Sequence, residues 1–240
     1  MTLRYFFLSV LILILTIGCN SSSSKTTNYT VNIEAEGVYD GVRAYIKRNE
    51  NGKTTTATDT AVAQNGMFQF KGEVLAPEMR LITIDGVNGQ VFFVLEPNNI
   101  NITVYKDSIQ KSKVSGGLNN EIFSKYRSGF VVITNKLDKL RQEYVAAAQN
   151  PQAVQELQKR NVELREELKN YGFNFLKNNP NSDFSLMLLD GLTSQPKFDT
   201  KSAKEVLELM NNELLNKSTN TLTVQNIQDK INQAKTNKKL

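Results

Sequence analysis

The chain has 240 residues with 29 basic and 24 acidic side chains, one cysteine and no histidine. Without histidine, this sequence cannot supply a Ser-His-Asp or Cys-His catalytic pair or an imidazole metal ligand. The apolar fraction of 40% is enough for a folded core, and the basic residues are too dispersed to predict a nucleic-acid surface.

The first 18 residues predict a secretory signal peptide. Arg4 precedes an apolar run from Tyr5 to Leu15 that is short for a bilayer span, and Gly18 supplies a small residue before Cys19. This pattern resembles a bacterial lipobox, in which the cysteine is acylated, for example with palmitate, and becomes the first mature residue. Thr16 departs from the pattern, which prefers leucine there. An ordinary signal peptide with an incidental cysteine is the alternative.

Residues 19–28 are polar and serine-rich, and they predict a flexible tether. With lipid on Cys19, the tether would anchor the protein to a membrane of the bacterial cell envelope. Acidic residues directly after the cysteine resemble a surface-export signal in Bacteroidetes lipoproteins. They are missing here, which favours a periplasm-facing orientation.

Residues 29–116 have the two-residue period of β-strands. Every second residue from Tyr29 to Ala35 is apolar, and Asn65-Gly66 is a strong hairpin-turn pair. Further strand candidates are 67–71, 81–84, 90–95 and 100–105. Short strands separated by Gly, Pro and Asn predict an antiparallel β-sandwich or an open barrel. The aromatic core or interface candidates are Phe68, Phe70, Phe92 and Phe93.

Residues 117–240 have the period of helices, so the fold class is predicted as α+β with about four to five helices. Asn119-Asn120 is expected to cap the first helix, and Asn150-Pro151 to begin the second. Because Pro151 interrupts the heptads, these two helices are expected to form an antiparallel hairpin, with a long coiled-coil dimer as the rival. The later helices are expected at 183–192, 201–216 and 222–235.

A cluster of charges within the second helix needs a separate interpretation. Its acidic members alternate with basic residues at helical spacing, which is typical of surface ion pairs and not of a catalytic cluster. The acidic residues are Glu163, Glu166 and Glu167, and the basic ones are Arg160, Arg165 and Lys169.

Three segments of the chain, with Pro77, carry a resemblance to a known domain. They are Asp59–Val74, Phe92–Asn98 and Val114–Asn120. They resemble the DUF4369-type N-terminal domain of Bacteroidetes lipoproteins. In such proteins this domain commonly precedes a helical region and a thioredoxin-like domain of the alkyl hydroperoxide reductase (AhpC/TSA) and thiol–disulfide oxidoreductase class. The similarity extends from residue 29 to about residue 235, and its motifs encode a turn, strand faces and a helix cap.

The redox part of that family has no counterpart in this sequence. The relatives carry a Trp-Cys-x-x-Cys site downstream, whereas this sequence has no Trp and no C-x-x-C, and it stops at Leu240, about where that domain would begin. Acylation of Cys19 would leave no free thiol, and no phosphate-binding glycine motif occurs. We therefore expect no catalytic, cofactor or metal site, and lipidation of Cys19 is the one functional site predicted.

Two short patterns are candidate modification sites. Thr60, within Asp59-Thr60-Ala61, and Ser108, within Asp107-Ser108-Ile109, resemble the O-glycosylation acceptor of exported Bacteroidetes proteins. A tripeptide pattern with so few fixed positions also occurs by chance.

Three functions fit the sequence. The first is a non-catalytic, membrane-anchored interaction or scaffold module that binds another envelope protein or an extended peptide through a sheet edge or a helical groove. The second is an accessory or truncated member of a thiol–disulfide oxidoreductase system, with a thioredoxin-like partner supplying the redox domain in trans. The third is a carrier of a small apolar ligand in the sheet cavity.

Overall fold

The structure, a computed structural model, describes residues 27–50, 54–147 and 149–236. The predicted signal peptide, Cys19 and tether residues 19–26 lie outside the described residues. Eight strands come first: β1 Asn28–Ala35, β2 Arg43–Glu50, β3 Thr54–Val62, β4 Met67–Glu73, β5 Glu78–Ile84, β6 Val91–Leu95, β7 Asn99–Val104 and β8 Lys113–Ser115. A 3₁₀ turn, Ile109–Lys111, precedes β8. The helices are α1 Leu118–Ala146, α2 Pro151–Asn178, α3 Asp183–Thr193, α4 Thr200–Leu209, α5 Asn212–Leu215 and α6 Thr221–Thr236.

The strands form two four-stranded sheets that pack as a sandwich. Sheet 1 has the order β4-β1-β7-β8, and sheet 2 has the order β3-β2-β5-β6. This confirms the predicted α+β class and the sandwich, and the sheets do not close into a barrel. One pairing differs from the antiparallel expectation, because β1 runs parallel to β7 with Thr30 opposite Asn99. Parallel neighbours need a crossover, and the chain makes it by passing through sheet 2 between β1 and β7.

The sandwich core follows the alternation in the sequence. Val31, Ile33 and Ala35 of β1 are fully buried between the sheets. Of the four predicted core or interface phenylalanines, Phe68, Phe70 and Phe93 are buried in this core, whereas Phe92 lies on the outer face of sheet 2 and is 37% exposed. The Asn65-Gly66 turn is confirmed, since both residues have positive φ, 53° and 71°.

Helices α1 and α2 form the predicted antiparallel hairpin, which we call the helical arm (residues 118–178). Asn150 begins α2 as expected, because its side chain accepts a hydrogen bond from the N–H of Ala153 at 3.2 Å and Pro151 occupies the first turn. Near the sandwich, the rings of Tyr126 and Tyr171 stack at 5.3 Å between centroids. Each arm helix has nearly 30 residues, 29 and 28, so the arm is about 43 Å long.

The remaining helices pack against the end of α2 around a second apolar core. The described residues contain six α-helices where four to five were expected, because the helix predicted at 201–216 is divided. Met210 adopts an extended conformation with ψ 137°, and Asn211 caps α5 by accepting from the N–H of Leu214 at 2.8 Å. Among the helices of the described residues, none combines the length and the hydropathy that a bilayer span requires.

Candidate functional site

The N-terminal part of α1 packs against both β6 and β8, each of which is the edge strand of its sheet. Asn120 is fully buried there. Its side-chain amide accepts from the N–H of Val94 and donates to the carbonyl of Val94, each at 2.8 Å. The amide thus occupies the edge of β6 as the backbone of a neighbouring strand would.

Glu96 is the buried charge of this contact, only 7% exposed. Its Oε2 accepts from the Nδ2 of Asn119 at 2.8 Å, and its Oε1 lies 3.3 Å from the Nδ2 of Asn120. Burial raises the pKa of Glu96, although hydrogen bonds from Asn119 and Asn120 oppose the rise. We call Glu96, Asn119 and Asn120 the junction cluster.

Gly117 determines how closely the helix approaches the junction cluster. Its φ is +83°, and a Cβ added there would overlap the Oε1 of Glu96. A residue with a side chain would be strained by the backbone angle and would also collide with the carboxylate. The glycine therefore allows α1 to begin directly against Glu96.

Apolar and aromatic side chains extend the contact from the sheet to α3. Val94, Ile122 and Phe184 form one buried cluster. The ring of Phe184 lies 5.3 Å from that of Phe123, and its backbone N–H donates to the Oδ1 of Asn119 at 2.8 Å. The junction cluster and this apolar patch attach the helices to sheet 2.

The polar groups at the junction cluster form hydrogen bonds and an ion pair that connect elements of the fold. Glu96 is buried and bonded to amide groups, and Asp183 of α3 is paired with Lys217 at 2.8 Å. Within the described residues, His, Cys, Asp and Glu form no group of three or more that could hold a metal ion. These side chains hold elements of the fold together.

Sequence reasoning misassigned the two asparagines of the junction cluster. Asn119-Asn120 was expected to cap α1, but Gly117 is the residue before its first turn. Both side chains instead bond mainly to residues far away in the sequence, Val94, Glu96 and Phe184. Asn120 also donates to the nearby carbonyl of Gly116 at 3.1 Å. No local signal could reveal this, because a helix cap and a sheet contact use the same side-chain amide.

The outer part of the helical arm, residues 132–147 and 149–167, is the second candidate. All of its hydrogen bonds and ion pairs among the described residues lie within the arm. Val145 and Val162 are 80% and 68% exposed. A groove of about 410 Å³ also runs between the two helices here, and its apolar lining is Leu137, Leu140, Tyr144 and Leu168.

The charged residues of α2 lie on the surface of the arm. Two of their ion pairs connect the arm helices, Arg160 with Glu143 at 2.7 Å and Lys136 with Glu167 at 3.2 Å. Glu166 pairs with Lys169 at 3.8 Å within α2. The sequence indicated pairs within one helix and did not reveal those between helices.

Of the three residues predicted for modification, the structure describes Thr60 and Ser108. Cys19 is outside the described residues. Thr60 is exposed on the edge strand β3, and its N–H donates to the Oδ1 of Asp59 at 2.7 Å. Ser108 is half-buried immediately before the 3₁₀ turn.

Comparison with known proteins gives a match for one segment of the chain. A search of curated proteins found no match. Residues 29–123 match the model of a family described as a domain of unknown function, DUF4369. The matched segment includes nearly all of the sandwich, the junction cluster and the start of α1. It ends at residue 123, whereas the resemblance in the sequence was expected to extend to about residue 235.

Proposed function

We propose that this protein is a non-catalytic interaction module, anchored through lipid on Cys19 to a membrane of the bacterial cell envelope and facing the periplasm. The helical arm is its contact element, and its partner is another envelope protein. The relationship to Bacteroidetes lipoproteins and to thioredoxin-like systems belongs to the same proposal, since it rests on the sequence resemblance.

The outer part of the arm carries the proposal. Its polar contacts are internal to the arm, and large valine side chains remain exposed there. Ion pairs between α1 and α2 keep the two helices together, so exposed groups are presented on a stiff support. A rigid amphipathic surface loses little conformational entropy on binding, which favours its use as an interface.

The composition supports a role without catalysis. The sequence has no histidine, and its one cysteine is the proposed acylation site. The strongest candidate for an unusual acid, Glu96, is enclosed by Asn119 and Asn120. Histidine, the side chain most often used in general acid–base catalysis, is therefore missing, and Glu96 is engaged in hydrogen bonds.

The anchor is tested by metabolic labelling with radioactive palmitate. We expect incorporation into the wild-type protein and none into Cys19→Ser, which should move from the membrane to the soluble fraction. Labelling of a thiol by a maleimide on purified mature protein would contradict the anchor, because an acylated sulfur cannot react.

The interface is tested by photo-crosslinking in intact cells of the native host. A benzophenone amino acid replaces Val145 or Val162 on the arm, and Leu75, which is 85% exposed in the loop after β4, serves as the matched control. We expect one and the same adduct from both arm positions and none from Leu75. The adduct should disappear when the other arm valine is changed to lysine.

The result also distinguishes the partner classes. Adducts that are equally strong from the arm and from Leu75 would overturn the arm as contact element. A thioredoxin-like protein in the adduct would favour the accessory role in a thiol–disulfide oxidoreductase system over a general scaffold.

A further inference from the structure

A groove between the end of sheet 1 and the first half of α1 lies outside the outer part of the arm, which carries the proposed interface. One side consists of the 3₁₀ turn and β8, and the other side consists of residues 123–131 of α1. Its volume is about 670 Å³, which is within the range of small-molecule sites. We call it the β8–α1 groove.

Three cationic side chains line the β8–α1 groove, and none of the described residues that line it is acidic. The side chains of Lys111 and Lys113 are exposed and have no hydrogen bond or ion pair with any described residue. The third cation, Arg127, donates from its Nη2 to the carbonyl oxygen of Gln110 at 2.7 Å. That bond holds the guanidinium between α1 and the 3₁₀ turn with other N–H groups still available.

This charge arrangement differs from that of the helical arm. There, cations such as Arg160 and Lys136 have glutamate partners. In the β8–α1 groove, three positive charges without a negative partner repel one another, and a cleft lined by one sign of charge concentrates ions of the opposite sign. The groove is therefore arranged to attract an anion.

Apolar side chains provide the rest of the contact surface. Val114 and Phe123 are half-buried in the groove, and Val131 is 40% exposed at its edge. A bare inorganic anion would leave these groups in contact with water. A ligand with an apolar portion would cover them and gain hydrophobic free energy.

We propose that the β8–α1 groove binds an amphiphilic anion, a phosphate or carboxylate group attached to a short apolar chain. Arg127 would contact the anionic oxygens through its planar fork, and Lys111 and Lys113 would act as point charges. Val114, Phe123 and Val131 would contact the apolar chain. This site requires neither the membrane anchor nor the arm interface.

The structure favours this ligand over an extended acidic peptide that adds a strand to sheet 1. The edge strand β8 is only three residues long. The carbonyl of Val114 already accepts from the Oγ of Ser124 at 3.4 Å. An added strand would find few backbone partners, so recognition depends on side chains.

Isothermal titration calorimetry of the full-length purified protein tests the site with dodecyl phosphate below its micelle concentration. Dodecyl maltoside provides the same chain without charge, inorganic phosphate provides the anion without the chain, and hexaglutamate represents an acidic peptide. We expect dodecyl phosphate to bind at least about tenfold more tightly than each of the other three. Added salt should weaken its binding.

Variants then locate the binding. Lys113→Glu, an exposed change that leaves the fold intact, should weaken dodecyl phosphate about tenfold or more, and Arg127→Gln should do the same. Lys125→Glu is the matched control, because it makes the same charge change at an exposed site of α1 that does not line the groove. It should alter the affinity by less than about twofold.

Several outcomes would overturn the proposal. If dodecyl maltoside bound as tightly as dodecyl phosphate, the anionic group would not be recognised. If inorganic phosphate bound as tightly, the apolar chain would not be recognised. Tighter binding of hexaglutamate would assign the groove to a peptide. An equal loss from Lys125→Glu and Lys113→Glu would show attraction to the net charge of the protein without a site.

Discussion

A side-chain amide can pair with a sheet edge as a neighbouring strand would, and Asn120 does so on β6. It satisfies both backbone groups of Val94 in a place that water does not reach. An exposed edge invites pairing with other chains, so this amide protects β6 and attaches α1 at the same time.

Replacement of Asn120 by alanine should therefore be costly. Asn120→Ala leaves the N–H and C=O of Val94 buried without partners, and we expect a loss of about 2–4 kcal/mol in the free energy of unfolding. Asn101→Ala is the control, because Asn101 is exposed and accepts one hydrogen bond from Asn32, and it should cost less than about 1 kcal/mol. Urea unfolding followed by circular dichroism measures both, and equal small losses would contradict the role of Asn120.

Glu96 should make the stability of the protein depend on pH in an unusual direction. Burial raises its pKa above the ordinary value of 4.5, so the folded state binds its proton more tightly than the unfolded state does. The corresponding stability is fully present below about pH 4.5 and is lost as the pH rises through the raised pKa. Glu96→Gln removes this titration.

We expect the variant to gain stability relative to the wild type as the pH is raised from about 4 to about 8. Urea unfolding of both proteins across this range measures the difference, in which the contributions of all other groups cancel. A difference that is constant with pH for Glu96→Gln would mean that the carboxyl titrates alike in the folded and unfolded states.

At the residue scale, the sequence predicted what depends on near neighbours. The positive φ of Asn65 and Gly66 and the cap at Asn150 follow from local chemistry. The junction cluster could not be predicted, since Asn120 contacts Val94 on β6 and Glu96 just after it, which are 26 and 24 positions away.

At the scale of elements, the exposed cap of α4, a helix that packs into the second apolar core, offers a test of the opposite sign. Asp199 begins α4, and its Oδ1 accepts from the N–H groups of Lys201 at 3.0 Å and Ser202 at 3.2 Å. Partial burial raises the pKa of Asp199, but hydrogen bonds from Ser202 and Lys201 outweigh it and hold the pKa below 3.8. This stability is present above the ordinary pKa and is lost as the pH falls through the lowered one.

Asp199→Ala should lower the free energy of unfolding by about 1 kcal/mol at neutral pH, whereas Asp199→Asn should retain most of it because asparagine is also a good cap. The deficit of the alanine variant should shrink in acid below about pH 4. Thermal unfolding of the wild type and both variants at neutral and acidic pH measures this deficit. A deficit that is unchanged in acid would show that the carboxylate charge contributes nothing to the cap.

Periodicity predicted most elements but not every boundary or pairing. The alternation of β1 and the break at Pro151 are local, and both were interpreted correctly. The division of the helix at Met210 depends on Asn211, whose N–H donates to the Oδ1 of Asn181 at 2.8 Å. The parallel pairing of β1 with β7 depends on the path of the whole chain, which no local period encodes.

At the scale of the whole molecule, the contact between sheet 2 and the helices determines whether the two parts unfold together. Phe184 is 4% exposed and lies in one cluster with Val94 and Ile122. Its ring also lies 5.9 Å from that of Tyr126. The apolar contact therefore connects β6 with α1 and α3, beside the hydrogen bonds of the junction cluster.

We expect β5, β6 and α3 of the wild type to lose hydrogen-exchange protection at the same urea concentration. Unfolding of either the sandwich or the helices would expose the buried surface that the other packs against, so the two should unfold together. Phe184→Ala removes about 3–5 kcal/mol of packing, mostly from this contact, so α3 should lose protection at a lower urea concentration than the strands. Phe70→Ala, within the sandwich core, is the control and should lower the stability of strands and helices together. Separate transitions already in the wild type would mean that the sandwich and the helices fold independently, and the junction cluster would then fix only their orientation.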